Sequence, residues 1–343
     1  MRIGLLTGGG DCPGLNAVIR AVTRVAEREH GIEVYGFLDG WAGVLEKRYM
    51  TLDVQGLRGI LPRGGTILGT SRSNPSLYEG GLEMAVDNLD TLGCDGLIVI
   101  GGDGTLACAT RVGELGGSVI GVPKTIDNDV AGTEQTFGFN TAVQIATDLI
   151  DRLHTTAESH DRVMVVEVMG RHVGHVATHA GIAGGAAFTL IPEHPFDIDD
   201  VCRRLQRRHE LGRYASIVVV AEGARPLPGT LDVPGGAVDQ WGHKILGGMG
   251  ALVGSAITER TGFESRVTVL GHVQRGGTPT AFDRVLCTRF GVAAIDAVVA
   301  GDWGTMVALQ SDSIVRIPLS QVVGIEKAVS AELFQGVAAR FFA

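Results

Sequence analysis

The sequence predicts an α/β protein of two domains with mostly parallel sheets, and three observations lead to this prediction. The chain has 343 residues, which is long for a single domain and suits two. Short apolar runs rich in β-branched residues alternate along it with segments of helical periodicity. Glycine-rich turns follow several of these runs, and such repetition of strand, turn and helix is typical of parallel sheets covered by helices.

Short apolar runs are the predicted strands, and they span residues 3–6, 97–100, 119–122, 163–168, 217–221 and 267–270. After the first run, apolar residues at helical spacing mark one face of a helix; they are Leu15, Val18, Ile19, Val22 and Val25. Further helices are predicted over residues 106–115, 142–153 and 282–299. Ligands of parallel sheets bind at the carboxyl ends of the strands, so a site is expected in the turns that follow them.

Composition and charge exclude several classes of function. The 51 glycines are about twice the usual share of roughly 7%, and they are clustered where backbone turns sharply or approaches a ligand. The net charge of −9 argues against a nucleic-acid partner, which would favour a basic face. It does not exclude anionic small molecules, because a few well-placed arginines can bind a phosphate.

The cysteine pattern and the hydropathy predict the cellular compartment of the protein. The five cysteines are odd in number and form no CxxC pair, which favours a reducing compartment and gives no signal of a zinc site. No signal peptide is expected before the first strand, and no apolar run reaches the roughly 18 residues of a membrane span. We therefore expect a cytoplasmic protein with no membrane partner.

The first glycine-rich turn is TGGGDCPGLN, residues 7–16, between a predicted strand and a predicted helix. Backbone amides there, together with the start of the helix, can bind phosphate. The segment lacks the GxxxxGK[ST] pattern of a Walker loop and the third glycine of a dinucleotide-binding motif. Taken alone, it is equally consistent with a phosphate site and with a plain turn.

Two further turns carry carboxylates. GGDGT, residues 101–105, places Asp103 at a strand end, where it suits a Mg²⁺ ion bound to polyphosphate. The same motif occurs in NAD kinases and diacylglycerol kinases, and its alternative is an Asp that caps the next helix. PKTIDND, residues 123–129, brings Asp127 and Asp129 together as a base for a hydroxyl and a partner for metal or water. A turn stabilised by Asp and Asn side chains is the other interpretation.

Cationic side chains follow other predicted strands, and arginine forks match phosphate oxygens. Any one of them could equally be a solvated surface residue. The set comprises Arg72, Arg162, Arg171, Arg266, His272 and Arg275.

With these motifs taken together, the chain resembles the phosphofructokinase family from residue 1 to about residue 310. The segments TGGGDCPGLN, GGTILGTSR, GGDGT, PKTIDND, AESHDRV, EVMGRH, AEG and VTVLGHVQRGGTP occur in the family's order and spacing. The resemblance implies two Rossmann-like three-layer α/β/α domains with mostly parallel sheets. Residues 1–139 plus about 276–324 would bind nucleotide and Mg²⁺, and residues 140–275 plus about 325–343 would bind the sugar phosphate.

The resemblance also implies a reaction: ATP and fructose 6-phosphate would give ADP and fructose 1,6-bisphosphate, the committed step of glycolysis. Asp127 would be the general base, supported by Thr125 and Asp129, and Arg171 with Arg72 would stabilise the transferring phosphoryl group. Asp103 would hold Mg²⁺. The nucleotide would contact Gly10, Arg72, Gly102, Asp103, Gly104 and Thr105.

The implied sugar-phosphate site draws on several motifs, and the enzyme is expected to be a homodimer or homotetramer. In the family, arginines matching Arg162 and Arg266 reach the sugar phosphate from a neighbouring subunit. The full set is Thr125, Ile126, Asp127, Arg162, Met169, Gly170, Arg171, Glu222, Arg266, His272, Val273, Gln274 and Arg275.

Two positions bear on the phosphoryl donor. Family members that use pyrophosphate carry Asp at the position of Gly104, where its carboxylate would occupy and repel the α-phosphate region of ATP, and Lys at the position of Lys124. Gly104 favours ATP, whereas the pair of Gly104 and Lys124 resembles an actinobacterial subgroup divided between the two donors. Cys108 also replaces a glycine common near the nucleotide. The alternatives are a pyrophosphate-dependent enzyme and, more distantly, a non-catalytic paralogue that binds sugar phosphate.

Overall fold

The computed structural model describes residues 1–233 and 247–342, and strands alternate with helices in these ranges. The strands before residue 140 are β1 (Arg2–Thr7), β2 (Glu33–Phe37), β3 (Tyr49–Leu52), β4 (Gly96–Gly101), β5 (Val119–Thr125) and β6 (Phe137–Gly138). The helices that begin before residue 140 are α1 (Leu15–His30), α2 (Trp41–Leu45), α3 (Gly81–Thr91), α4 (Asp103–Glu114) and α5 (Phe139–His160).

The same alternation continues towards the C-terminus. The later strands are β7 (Val163–Val168), β8 (Phe188–Leu190), β9 (Ser216–Ala221), β10 (Ser265–Val269), β11 (Thr305–Gln310) and β12 (Ser313–Pro318). The later helices are α6 (His175–Ala183), α7 (Ile198–Glu210), α8 (Met249–Thr261), α9 (Ala281–Ala300) and α10 (Ala331–Phe334). Short 3-10 helices lie at Pro75–Leu77, Gly271–Arg275, Leu319–Gln321 and Ala338–Phe341.

The chain divides into two compact units. The first comprises Met1–Thr141 and Arg275–Lys327. The second comprises the described residues of Ala142–Gln274 and Ala328–Ala343.

The first unit is built on a sheet of strand order β12-β11-β5-β4-β1-β2-β3, with β6 paired to β5. The inner strands are parallel, and the antiparallel strands β3 and β12 lie at the two edges. β1 and β4 are buried almost throughout, which is why they read as continuous apolar runs in the sequence.

Successive residues of each strand point to opposite faces of this sheet, and both faces are apolar. Helices therefore cover the sheet. Leu97 and Val99 of β4 pack in one cluster with Leu89 of α3 and Val112 of α4. α1 packs along α9, and α9 in turn contacts β5. The apolar stripe of α1 that the sequence predicts is buried.

The second unit has a four-stranded sheet of order β10-β7-β9-β8, and every pairing in it is parallel. β7 and β9 are buried along their whole length, whereas β10 forms an edge on which Val267 and Val269 are exposed. Helix α8 packs on β7 and β10, and α6 packs on β8 and β9.

The predicted fold class is therefore confirmed: strands and helices alternate, and the sheets are mostly parallel. The sequence does not predict the edge strands β3 and β12, because they are partly exposed and carry no continuous apolar run. It also does not predict β2, β6, β8 and β11. In the described part of the chain, no helix combines the length and the hydrophobicity that crossing a membrane requires.

Candidate active site

The glycine-rich loop after β1 is held against two neighbouring segments of the first unit. The amide of Gly8 donates to the carbonyl oxygen of Ile100 at 2.9 Å, and the amide of Gly9 donates to that of Ser71 at 3.2 Å. The Thr70 hydroxyl donates to the carbonyl oxygen of Gly9 at 2.6 Å. Gly9 has a φ of 78°, a conformation that favours glycine. These contacts fix the loop at the carboxyl end of β4.

Thr105 brings the two glycine motifs into direct contact. A Cβ on Gly8 would lie 2.6 Å from Cγ2 of Thr105, and a Cβ on Gly101 would also clash with the Thr105 side chain. Only glycine at both positions leaves room for this packing. The loop after β1 and the turn after β4 therefore form one surface.

Helix α4 begins at Asp103, three residues before the helix predicted over residues 106–115. Gly102 and Gly104 flank Asp103. Because glycine has a low helix propensity, the sequence does not predict the first turn of α4. The exposed amides at the start of α4 and the helix dipole favour an anion there. A Cβ on Gly104 would meet nothing within 4 Å, so the space beside this residue is open.

Asp103 fits a magnesium ion that is bound mainly by phosphate. Its side chain is exposed, and Oδ1 accepts a hydrogen bond from the amide of Gly324 at 2.8 Å. Residues 1–233 and 247–342 contain no group of three or more His, Cys, Asp or Glu side chains that could hold a metal by itself. Mg²⁺ in phosphoryl-transfer sites takes one or two carboxylates, substrate phosphates and water, and one carboxylate is what this helix start offers.

The turn after β5 carries the paired carboxylates on a backbone fixed by its own polar side chains. Asn128, between Asp127 and Asp129, is buried and has a left-handed φ of 56°. Its Oδ1 accepts a hydrogen bond from the amide of Thr136 at 3.0 Å. The Thr125 hydroxyl accepts a hydrogen bond from the amide of Asp127 at 3.0 Å. Asn128 is thus the structural residue of the turn.

One carboxylate oxygen of Asp129 is buried. In the described part of the chain, its Oδ1 has no hydrogen-bond partner. Buried polar atoms without partners are rare because desolvating them costs free energy, and they concentrate at functional sites. This oxygen makes Asp129 a candidate functional residue.

Lys124 places a cation beneath the glycine-rich loop. Its side chain is almost fully buried, and Nζ donates to the carbonyl oxygen of Gly10 at 2.5 Å. Burial lowers the pKa of the Lys124 ammonium, and the nearby Arg275 acts in the same direction. Arg275 itself donates to the carbonyl oxygen of Asp11 at 3.2 Å. Both cations therefore lie at the loop that we expect to contact phosphate.

In the second unit, the turns after β7 and β9 meet. The amide of Glu222 donates to the carbonyl oxygen of Val168 at 2.9 Å, and the amide of Gly223 donates to that of Gly170 at 3.2 Å. A Cβ on Gly223 would overlap the Arg171 carbonyl oxygen. The structure thus brings the Met169-Gly170-Arg171 motif and Glu222 to the same edge of the sheet.

Glu193 is a residue of this region that the sequence did not point to. Both of its carboxylate oxygens accept a hydrogen bond from the amide of Gly174, at 3.0 Å each. The amide of Val329 also donates to its Oε1 at 3.0 Å. Glu193 fixes the loop that follows Arg171. No motif marks it, since its partners are backbone amides far away in sequence.

Arg162 and Arg266 share one carboxylate. Arg162 binds Glu264 in a bidentate fashion, with distances of 2.7 Å from Nε to Oε2 and 3.1 Å from Nη2 to Oε1. Arg266, on the edge strand β10, also pairs with Glu264. The Arg162 guanidinium lowers the pKa of Glu264. The structure places both arginines on one surface. Their shared partner, Glu264, was not identified from the sequence.

The remaining predicted residues differ in exposure. Arg72 is exposed, and so are His272 and Val273 in the 3-10 helix Gly271–Arg275. Ile126 and Gln274 are fully buried, and the Gln274 amide group donates to the carbonyl oxygen of Gly271 at 3.2 Å. Cys108 is buried in the core on α4, where burial raises the pKa of its thiol to about 12.

Comparison with known proteins gives consistent matches. The family model described as phosphofructokinase matches residues 2–298. A pyrophosphate–fructose 6-phosphate 1-phosphotransferase of Streptomyces coelicolor is 55% identical over 342 residues, which cover 99% of this chain and 100% of the relative. An ATP-dependent 6-phosphofructokinase of Corynebacterium efficiens is 54% identical, with 99% of each chain covered.

A solved structure agrees with these relatives. The T-state phosphofructokinase of Pichia pastoris matches with a TM-score of 0.83 and 34% identity. The match covers 99% of this chain and 36% of the much longer yeast chain.

Proposed function

Because the chain belongs to the phosphofructokinase family and is a phosphotransferase, we propose that it transfers the γ-phosphoryl group of ATP to the 1-hydroxyl of fructose 6-phosphate. One observation carries the proposal. Asp103 follows β4 and Asp127 follows β5, and these are neighbouring parallel strands. Their carboxyl ends share one edge of the sheet, so both carboxylates follow strands at that edge, where Asp103 would bind the metal and Asp127 would act as the base. The reaction would be the committed step of glycolysis, and a cytoplasmic location stays a prediction from the sequence.

The donor side of the reaction is assigned to the glycine-rich surface. The loop containing Gly10 and the start of α4 (Gly102 to Thr105) offer amides to the phosphates, and the exposed Arg72 adds a positive charge. Asp103 would hold Mg²⁺, which when bound neutralises charge on the phosphates. The chain's own contribution is to orient the donor and to keep a carboxylate in place by the hydrogen bond from Gly324.

The acceptor side depends on Asp127. As the hydroxyl oxygen forms its bond to the γ-phosphorus and the bond to ADP breaks, the hydroxyl proton passes to the Asp127 carboxylate. Thr125 and Asp129 support this base, the first through its hydrogen bond to the Asp127 amide. Arg171 and Arg72 would stabilise the transferring group. The residues assigned to the sugar phosphate are Thr125, Ile126, Met169, Gly170, Arg171, Glu222, His272, Val273, Gln274 and Arg275.

The choice of ATP as donor rests on Gly104. The space beside this residue is open, since a Cβ there would meet nothing within 4 Å. A nucleoside attached to the phosphates needs such room, and an Asp side chain at this position would put a negative charge into it. Gly104 therefore supports a nucleotide donor.

Pyrophosphate is the second candidate, because Lys124 gives a specific reason for it. The buried Lys124 ammonium lies against the Gly10 carbonyl and adds positive charge beneath the loop, which suits a small and highly charged donor. The relative from Streptomyces coelicolor also carries pyrophosphate in its name. Gly104 and Lys124 thus favour different donors.

A homo-oligomer, a dimer or a tetramer, is the proposed assembly. Arg162, which directly precedes β7, and Arg266, on the edge strand β10, both pair with Glu264, which is exposed. From there their guanidinium groups would bind the sugar phosphate of a neighbouring subunit.

One assay tests the proposed function. The purified protein is given Mg²⁺, fructose 6-phosphate and either ATP or pyrophosphate, and fructose 1,6-bisphosphate is measured directly. We expect product with ATP. Product with pyrophosphate alone would show that Lys124 outweighs Gly104 and would leave the sugar site unchanged. No product with either donor, together with measurable binding of fructose 6-phosphate, would indicate a non-catalytic paralogue.

A further inference from the structure

Lys327, the last residue of the first unit, ties down the loop that follows the two carboxylates. Its Nζ donates to Asn128 Oδ1 at 2.8 Å, to the carbonyl oxygen of Thr133 at 2.9 Å and to that of Glu134 at 3.0 Å. An ammonium has three donors, and here all three have an acceptor. The side chain therefore closes the loop from residue 128 to residue 134.

The Lys327 contact to Asn128 is the one that bears on the carboxylates. Asn128 lies between Asp127 and Asp129 and holds the left-handed conformation that sets their directions. Its Oδ1 is shared by the Lys327 ammonium and the amide of Thr136. Without the Lys327 ammonium, Asn128 Oδ1 would lose its charged donor. The left-handed conformation of Asn128 would then lose the contact that offsets its strain.

The backbone of the same segment adds two more contacts. The amide of Lys327 donates to the carbonyl oxygen of Asp129 at 3.0 Å, and Glu326 pairs with Val130 as an antiparallel bridge. Three residues earlier, the amide of Gly324 donates to Asp103 Oδ1. Residues 324–327 therefore contact both carboxylate-bearing segments of the candidate site.

The charge of Lys327 is consistent with this arrangement. Burial lowers the pKa of its ammonium to about 8, while the carboxylates of Asp129 and Glu134 act in the opposite direction. A buried lysine is costly unless it is paired or fully hydrogen-bonded. Its three hydrogen bonds and the two nearby carboxylates offset this cost.

We infer that Lys327 is a positioning residue for phosphoryl transfer, which holds Asn128 and thereby the directions of Asp127 and Asp129. The inference rests on the proposed function of Asp127 as the base. It predicts that loss of the Lys327 donors lowers the rate of the chemical step and leaves the binding of fructose 6-phosphate almost unchanged. A lysine that served only the stability of the fold would lower the melting temperature without such a split.

The test compares Lys327→Met and Lys327→Arg with Lys47→Met, which makes the same change at an exposed lysine. For Lys327→Met we expect kcat to fall about 30-fold, since misplacing a catalytic group by about 1 Å can cost roughly 100-fold. The KM for fructose 6-phosphate should change less than about threefold. Lys327→Arg keeps the charge and several donors and should regain most of the loss. Lys47→Met should match the wild type.

A double-mutant cycle with Asp127→Ser separates positioning from stability. If Lys327 acts through Asp127, Lys327→Met should have no further effect on kcat once Asp127 is gone. A kcat of folded Lys327→Met within threefold of the wild type, or an additive loss in the double variant, overturns the inference. Should Lys327→Met fail to fold, Lys327→Gln takes its place under the same criteria. A wild type that is inactive with both donors overturns the proposed function and this inference with it, whereas an active wild type with unaffected Lys327 variants overturns only the inference.

Discussion

Thr105 packs into the space that Gly8 leaves open, so closely that a Cβ on Gly8 would lie 2.6 Å from Cγ2 of Thr105. The two residues belong to different motifs, one after β1 and the other in the first turn of α4. Their contact packs the loop after β1 directly against the first turn of α4. Any side chain at position 8 must therefore push the two motifs apart.

The first prediction concerns this contact. Gly8→Ala should destabilise the protein by about 1–3 kcal/mol, the usual cost of overpacking, and lower Tm by several degrees. The KM for the phosphoryl donor should rise, because the loop and the start of α4 separate. Calorimetry and steady-state kinetics would measure both effects.

Gly104→Ala is the matched control for the stability effect, since a Cβ at that position meets nothing within 4 Å. It lies in a helix, where Ala is favoured over Gly by about 1 kcal/mol, so its Tm should be unchanged or higher. Equal losses of stability in both variants would contradict the packing argument.

The second prediction concerns the donor. Gly104→Asp should lower kcat/KM for ATP by about 100-fold, because the new carboxylate faces the phosphates of the nucleotide in a partly desolvated site. Activity with pyrophosphate should be retained or should rise. Gly104→Asn has nearly the same size without the charge, and its loss with ATP should be clearly smaller. An Asn variant as poor as the Asp variant would mean that space, not charge, selects the donor.

The third prediction concerns the base. Asp127→Ser should lower kcat by about 10²–10⁴-fold, the range expected for the loss of a general base. The affinity for fructose 6-phosphate, measured by calorimetry without donor, should change little. A variant within tenfold of the wild-type kcat would remove Asp127 from this role.

The central strands β1, β4 and β5 could be predicted from the sequence, whereas the contacts that complete the candidate site could not. Leu97 to Ile100 form an apolar run because β4 is buried on both faces. By contrast, Lys327 contacts Asn128 across 199 positions, and Glu193 contacts Val329 across 136. Their partners are backbone groups or an amide side chain, which leave no pattern in a single sequence. The start of α4 was missed for a local reason, since Gly102 and Gly104, which flank Asp103, are poor helix formers.

The motif residues of the site could be chosen from the sequence because each follows a strand. This rule selected Asp103, Asp127 and Arg171 without any knowledge of the fold. It could not separate Asn128, a structural residue of the turn, from the carboxylates on either side of it. That distinction needs the left-handed φ of Asn128 and its buried hydrogen bond to Thr136.

The last prediction concerns the proposed assembly. Arg162 and Arg266 both pair with Glu264 next to the edge strand β10. A sugar phosphate bound in the site of a neighbouring subunit would compete with this carboxylate for the two guanidinium groups. Arg162→Ala should therefore raise the KM for fructose 6-phosphate by about tenfold or more and change kcat much less. Steady-state kinetics over a range of fructose 6-phosphate concentrations would show the split.

Mixing the two kinds of defective subunit makes the shared site directly visible. An oligomer that combines an Arg162→Ala subunit with an Asp127→Ser subunit contains one site with an intact Asp127 that receives Arg162 from its neighbour. After subunit exchange, activity at low fructose 6-phosphate should rise well above the sum of the two separate proteins. Each variant mixed with itself is the control, because those oligomers contain no intact site. Exchange that is demonstrated by a tagged subunit but restores no activity would mean that each chain uses its own Arg162, and the ion pair with Glu264 would then be structural.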